Sequence, residues 1–490
     1  MEITLYPFQS ESVEALRENI RKGVKNQILS AATGSGKTII AAHLLKEAHT
    51  KGKRAIFVAD RINLIDQTSA VLDQYDIPHG VIQAQHYRFR PWEKIQVASA
   101  ATLEKRSWPE DTDLIIVDEC HAIRKHVIRR TDRRDVVTLG LTATPFTKSL
   151  GKHYDAVVTV TTTNKLISEK FLAGYKIFAA SEPDMTGAKV VAGEWTDDEA
   201  ASRAMPIIGD CVQEYLKHGD GKKFIAFGVN VAHCEALQRQ FLAAGVHCSL
   251  YTYRTGDDER TEMVREFRKP DSYIRGLISV AALSKGFDVS DVGVIIMCRP
   301  LKSSLSEHIQ ILGRGLRSHE GKDHCIVLDH AGNCVRFWDE MQDFFENGAN
   351  KLDDGKKANK KAKKKKPREP QKCPKCFAVH DPAPACPSCG HIYPQKMGIA
   401  HEDGELITLD GGSSTPRVER QDFYSQVLAV AREHEYKDGW AAHKYKEKFG
   451  VWPRGLEDVT TEPTQKVLSW LRSRQIAYAR SKVNRSGATA

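Results

Sequence analysis

An apolar run, Gln27 to Ser30, leads into AATGSGKT, Ala31 to Thr38, and the helical pattern IIAAHLLKEA follows. Strand, glycine-rich loop and helix in that order are the setting a phosphate-binding loop requires. Gly34 and Gly36, with Ser35 between them, allow backbone N–H groups to turn inward around phosphate oxygens, and the helix N-terminus adds its dipole. Lys37 is placed to reach the β- and γ-phosphates. Thr38 offers a hydroxyl to Mg²⁺, a cation that takes few protein oxygens and keeps phosphates and waters as its other ligands. Ala31 stands where the strict pattern has its first glycine. Further on, DLIIVDECH ends four apolar residues in Asp118, Glu119, Cys120 and His121. Asp118, at the strand's carboxyl edge, is expected to hold the Mg²⁺ shell, and Glu119 to orient and deprotonate the attacking water. The chemistry is hydrolysis of a nucleoside triphosphate, with Cys120 a small buried residue rather than a nucleophile.

A second constellation lies at CPKC and CPSCG, where Cys373, Cys376, Cys386 and Cys389 are spaced as CxxC, nine residues, CxxC. Two such knuckles present four thiolates to Zn²⁺ tetrahedrally, and the prolines and closing glycine suit tight metal-binding turns. No thioredoxin-like βαβ unit surrounds either CxxC, so a structural zinc is expected rather than a redox pair, with no open position for catalysis.

These residues need a frame, and the pattern to about Leu328 supplies an α/β one: short runs of Val, Ile and Phe, each followed by a turn and a helical stretch. Gln27 to Ser30, Ala55 to Ala59, Ile95 to Ser99, Leu114 to Val117 and Val136 to Leu141 predict one parallel sheet. Runs from Phe224, near Val246, and at Ile274 to Val280, Val292 to Met297 and Cys325 to Leu328 predict a second, with a hinge near Thr161 to Lys176. Of 72 basic residues against 63 acidic ones, nine fall in GKKANKKAKKKKPR, Gly355 to Arg368, which has no acid and so carries the whole charge excess. That run reads as a solvated linker with affinity for polyanions. Apolar residues at helical spacing, Asp422 to Arg432 and Glu462 to Val483, predict a small helical C-terminal domain. Between them Trp440, Tyr445, Phe449 and Trp452 interleave with lysines, either as a stacking surface for a single strand or as core. No apolar stretch approaches the roughly 20 residues of a bilayer span, and no secretory signal opens the chain, so a cytoplasmic protein is expected.

AATGSGKT, DECH, TAT (Thr142 to Thr144) and QILGRGLR (Gln310 to Arg317) occur in the order found in superfamily 2 helicases, and the chain resembles that family from about Leu5 to His330. The layout of a DECH-box motor followed by four cysteines is similar to the RadD-type DNA repair helicases. The resemblance implies two tandem RecA-like parallel-sheet domains, 1–165 and 166–345; the residues themselves place a lysine-rich linker at 346–370, a zinc module at 371–395 and a helical domain at 419–490, and the lysine run and the C-terminal segment depart from the RadD-type layout. It implies that Gln310, Arg314 and Arg317 reach across the interdomain cleft to the γ-phosphate, the arginines as fingers. LYPFQ resembles the adenine-reading segment, with Gln9 on the base and Tyr6 where many relatives have arginine. Arg61, Gln67, Ser99 and Thr102 stand at phosphate-contact positions of the bound strand, helix capping being the plain alternative, and Phe227 and Asn230, in the motif that opens the second half, are further nucleic-acid positions. Gly286 and Asp288 approach the nucleotide sugar, while His121, Thr142 and Thr144 couple the two activities. The implied function is an ATP-dependent DNA helicase or translocase, with ATP, Mg²⁺ and Zn²⁺, acting on single-stranded or branched DNA with replication or repair proteins. The alternatives are a motor subunit of a restriction or defence assembly, an RNA helicase, and a non-catalytic zinc-stabilised binding module.

Overall fold

Seven parallel strands build the first sheet: β1 (Asn26–Ser30), β2 (Ala55–Ala59), β3 (His79–Ile82), β4 (Ile95–Ser99), β5 (Leu114–Asp118), β6 (Val137–Thr142) and β7 (Ala156–Val158). Their spatial order is β3-β4-β2-β5-β6-β1-β7. The strands are apolar throughout because helices cover both faces. Leu29, Phe57 and Ile116 pack on one side, and Ile28, Ile56, Val58 and Ile115 pack on the other. The computed structural model describes residues 2–122, 124–179, 182–280, 289–355, 369–393, 417–437, 439–449, 452–453 and 455–474. Gly286, Asp288 and the lysine run from 356 to 368 lie outside the described residues.

The second sheet repeats the plan. Its parallel part consists of β8 (Gly174–Phe178), β11 (Phe224–Phe227), β12 (Cys248–Leu250), β13 (Gly276–Ser279), β14 (Val294–Met297) and β15 (His324–Asp329), with a two-stranded hairpin, β9 (Val190–Val191) and β10 (Glu194–Trp195), between β8 and β11 in the chain. The order β12-β13-β11-β14-β15-β8 matches β3-β4-β2-β5-β6-β1 of the first sheet position by position. The two tandem α/β domains therefore stand as expected. Three strands of the two parallel arrays were not foreseen. β3 and β7 are four and three residues long, and β8 falls where the hinge was expected.

Two connections differ from the expected domain plan. After the helix Trp338–Asn347, Gly348 takes φ +65° and the chain returns to the first domain. There Thr159 Oγ1 donates to Ala349 O at 2.8 Å, Gly151 N donates to Asp353 O at 2.8 Å, and Leu352 is buried in the first domain's core. The start of the expected linker is thus a strap, and burying Leu352 is worth about 2 kcal/mol. The four-cysteine segment is not a separate module either. β16 (Gln371–Lys372) and β17 (Ala378–His380) form a hairpin whose β17 pairs antiparallel with β8, extending the second sheet to eight strands. Trp338 Nε1 donates to Asp381 at 3.0 Å and closes the join.

A separate C-terminal unit holds the helices Arg417–Glu433 and Gly439–Phe449 and a helical stretch at 465–474. Tyr445, 2% exposed, packs with Phe423, Val427 and Leu471, and Phe449 stacks edge-on against Phe423. Most aromatics of that segment are therefore core and not a stacking surface. Among the described residues no helix is long and apolar enough to cross a membrane.

Candidate active site and cysteine cluster

Strand register brings the motifs together. Ser30 pairs with Thr142 and Asp118 with Leu141, so β1, β6 and β5 release AATGSGKT, TAT and DECH side by side at their carboxyl ends, where ligands bind in open parallel sheets. The helix Lys37–Thr50 starts at Gly36, whose φ of +80° and close neighbour demand glycine: a Cβ there would lie 2.4 Å from Gln9 Nε2. The Gln9 amide donates to Ser35 O at 3.0 Å and accepts from Tyr6 N, so it clamps the loop. Gln9, Gly34, Ser35 and Gly36 also line a cavity of about 610 Å³, with Tyr6, Phe8 and Phe171 as its aromatic wall. Thr38 lies half-buried in the first turn of the helix. Lys37 Nζ donates to Ala31 O at 3.0 Å and Ala32 O at 3.2 Å. Burial pushes its ammonium down, against the pull of Glu119 and Asp118. A glycine loop, a half-buried cation, a hydroxyl and two carboxylates form a donor set that fits a triphosphate with its Mg²⁺.

Glu119 takes φ +47°, a left-handed conformation costly for a side-chain-bearing residue, and the turn is closed by Ala122 N donating to Glu119 O at 2.8 Å. Burial raises the Asp118 carboxyl, and the charge of Glu119 adds to it. Burial would raise Glu119 too, but hydrogen bonding from His121 and the charge of Lys37 outweigh it and hold the carboxylate ionised. Cys120 is 4% exposed and its thiol is pushed well up by burial, as befits a packing residue.

His121 links this centre to the second domain. Its Nδ1 lies 3.1 Å from Glu119 Oε2 and 2.9 Å from Thr142 Oγ1, while Gln310 Nε2 approaches its Nε2 at 3.3 Å. An amide nitrogen can only donate, so Nε2 accepts and Nδ1 carries the proton, its hydrogen bond going to Thr142 Oγ1 with Glu119 alongside. Gln310 also donates to Thr144 Oγ1 at 3.3 Å, and Thr144 meets Ser306 at 2.6 Å. Gln310, expected at the γ-phosphate, does cross the cleft, but its amide ends on His121 and Thr144. Arg314 is 4% exposed, and its charge reaches both Lys37 and Glu119. Arg317 Cγ lies 3.3 Å from where a Cβ on Gly34 would stand, and a Cβ on Gly313 would lie 2.6 Å from Thr33 Cβ. Ser306 and Gly313 were missed by the sequence reading; Gly313 had a signal, as a small residue in a helix expected to approach a backbone loop.

The expected strand contacts divide. Phe227 is 1% exposed in the second domain's core and cannot reach a strand. Asn230 accepts from His233 N at 2.9 Å as the N-cap of the helix Val231–Ala243, and Ser99 caps the helix Ala100–Lys105 by accepting from Thr102 N. Both side-chain oxygens serve capping, which was the plain alternative for Ser99 and was not foreseen for Asn230. Thr102 Oγ1 accepts from Ala84 N at 3.3 Å. Arg61 precedes the helix Ile62–Gln74 as its N-cap residue, and Gln67 lies within that helix.

The four cysteine sulfurs all lie within 4.8 Å of one another, with Cys373–Cys389 and Cys376–Cys386 at 3.7 Å. Four sulfurs bound tetrahedrally at about 2.3 Å stand roughly 3.8 Å apart, so the cluster is shaped for a metal ion. Both knuckles turn alike: Phe377 follows Cys376 at φ +60°, and Gly390 follows Cys389 at φ +70°.

Residues 2–147 match the family described as type III restriction enzyme, res subunit, and residues 208–319 match the helicase conserved C-terminal domain. With the closed site between them, the chain belongs to the superfamily 2 helicases, motors that hydrolyse ATP. A 51.5 kDa protein of Lactococcus phage (isolate 7-9) is 29% identical over 80% of this chain and 81% of its own. A Saccharomyces cerevisiae protein named as the ATP-dependent helicase Irc3 is 27% identical over 67% of this chain, which spans only about half, 51%, of that relative. Among solved structures, a fragment described as an HsdR subunit of a type I restriction enzyme from Vibrio vulnificus YJ016 superposes with a TM-score of 0.57 at 19% identity, over 71% of this chain and 69% of that one. The DUF1998 helicase MrfA, solved bound to DNA, superposes with a TM-score of 0.50 at 19% identity, over 71% and 52%. These structural likenesses are ones of fold.

Proposed function

We infer that the protein is an ATP-driven DNA translocase or helicase working in DNA repair, recombination or replication. The observation that carries this reading is the contact chain Glu119, His121, Gln310, Thr144, Ser306, which ties the hydrolytic carboxylate of one domain to a helix of the other. Thr38 and Asp118 hold Mg²⁺, which supplies positive charge to the phosphate oxygens when bound. Glu119 accepts the proton of the attacking water, and Arg314 and Arg317 offset charge developing on the transferred phosphoryl group only when the domains are closed. Hydrolysis and domain movement thereby become one event, and a strand held by both domains is moved in steps. Cys373, Cys376, Cys386 and Cys389 hold one structural Zn²⁺.

DNA as the track is supported by the restriction-enzyme family match of residues 2–147 and by the RadD-type layout of motor and cysteine cluster. That same match favours a second reading, the motor of a restriction or defence assembly, whose motor tracks along duplex without separating strands. The discriminating experiment measures displacement of a third strand from a triplex and unwinding of a forked duplex, with Lys37→Ala as the blank. Fork unwinding that needs ATP and Lys37 supports the repair helicase. Triplex displacement without unwinding supports the second reading, and neither activity contradicts DNA translocation.

A further inference from the structure

Exposed aromatic rings concentrate in one loop of the first domain. Between β3 and β4, Tyr87 is 85% exposed, Trp92 69% and Phe89 48%. The loop is firmly built: Val81 N donates to Arg88 O at 2.9 Å, and Gln96 Nε2 donates to Arg90 O and Glu93 O at 2.8 Å. Arg88 lies 5.8 Å from the Tyr87 ring centroid and is itself fixed by Asp73. A rigid exposed ring beside an arginine is what a stacking platform for bases looks like.

The second domain repeats the arrangement. β12 holds in the second sheet the outermost position that β3 holds in the first. The loop that follows it also carries a Tyr-Arg pair, with Tyr253 74% exposed and Arg254 5.9 Å from its ring centroid. Each loop is tied by an acid to the helix after the corresponding central strand: His86 to Asp66 at 3.6 Å and Arg254 to Glu235 at 3.6 Å. Asp66 and Glu235 are each the fifth residue of their helix. The first loop also meets Thr102, an expected strand contact, through Ala84 N.

We propose that Tyr87–Arg88 and Tyr253–Arg254 are paired stacking platforms, one on each motor domain, that hold bases of a single nucleic-acid strand. Two grips on separate domains allow one base to be held while the other domain shifts, and stacking on a ring face is indifferent to sequence, as a motor requires. The inference rests on the nucleic-acid motor reading and names how its track is held.

The test is the affinity of the full chain for fluorescein-labelled oligothymidylate, oligouridylate and a strand of equal length lacking bases, at one fixed salt. The double variant Tyr87→Ala with Tyr253→Ala is expected to bind the tighter of the two base-bearing strands at least about tenfold more weakly. It should bind the baseless strand as the unmodified protein does, with basal ATP hydrolysis unchanged, and Tyr→Phe at both positions should restore binding. Equal affinity of the Ala variant and the unmodified protein for the base-bearing strand overturns the platforms while leaving the motor reading intact. Equal loss on the baseless strand also overturns them, because contact would then not be with bases. Failure of the unmodified protein to bind any strand overturns the motor reading itself.

Discussion

Gln310 Nε2 lies 3.3 Å from the His121 ring nitrogen, and with that contact the second motor domain reaches the residue that meets the Glu119 carboxylate of the first. The side chain is 1% exposed, so the link is shielded from water and depends on the cleft being closed. Gln310→Ala is expected to leave nucleotide affinity within about twofold while lowering DNA-stimulated turnover by tenfold or more, a loss of roughly 1.4 kcal/mol in the closed state. Fluorescent nucleotide titration and steady-state hydrolysis with and without DNA separate the two effects.

Gly313 makes the same closure sterically. With a Cβ 2.6 Å from Thr33 Cβ, Gly313→Ala should hold the domains apart and reduce kcat about a hundredfold with little change in nucleotide affinity. Thr33→Gly removes the opposing atom, so the double variant should regain part of the rate. A double variant no better than Gly313→Ala would show that the contact does not limit closure.

The grouping of this centre was legible in the sequence because its spacing is local: Gly34, Gly36, Lys37 and Thr38 stand within one turn, and Asp118 and Glu119 at one strand end. What escaped depends on distant partners. β8 was taken for hinge because GYKIF acquires its role only on pairing with β15 and β17, far along the chain. The cysteine segment looked like its own module for the same reason. Phe227 was assigned to the strand although FIAF is continuously apolar and buried on both faces, which marks a central parallel strand. Asn230 and Ser99 show the competition between capping and ligand contact, and at both positions the cap is made. Tyr87 and Tyr253 drew no attention because an exposed ring has no sequence signature until its exposure is seen.

Because Cys373 and Cys386 pack in the same core cluster as Phe224 and Ile296, metal removal should weaken the second motor domain itself. One zinc per chain is expected by elemental analysis. Cys386→Ser, or a strong chelator, should lower the thermal midpoint on the order of 10 °C. An unchanged midpoint with zinc lost would mean that the hairpin is stable without its metal.

His308, two residues before Gln310, is fully buried beside Phe337. Burial pushes its pKa down to about 4, Asp329 opposing and Arg336 adding. The unfolded chain therefore binds a proton near pH 6.5 that the folded chain takes only near 4, so stability is full above 6.5 and falls as pH drops through that window, by about 3 kcal/mol at its end. Urea unfolding from pH 7 to 4.5 should show this slope, and His308→Leu should flatten it. A slope identical in both proteins would assign the acid sensitivity to other groups.

The coupling of hydrolysis to a bound strand is tested most directly by steady-state ATP hydrolysis without nucleic acid and with single-stranded, duplex and forked DNA and RNA, using Glu119→Gln as the blank. The closed Glu119–His121–Gln310 chain predicts low basal turnover, strong stimulation by DNA, and loss of both in the blank. Equal rates in every tube would contradict a nucleic-acid motor and place the coupling on a protein partner.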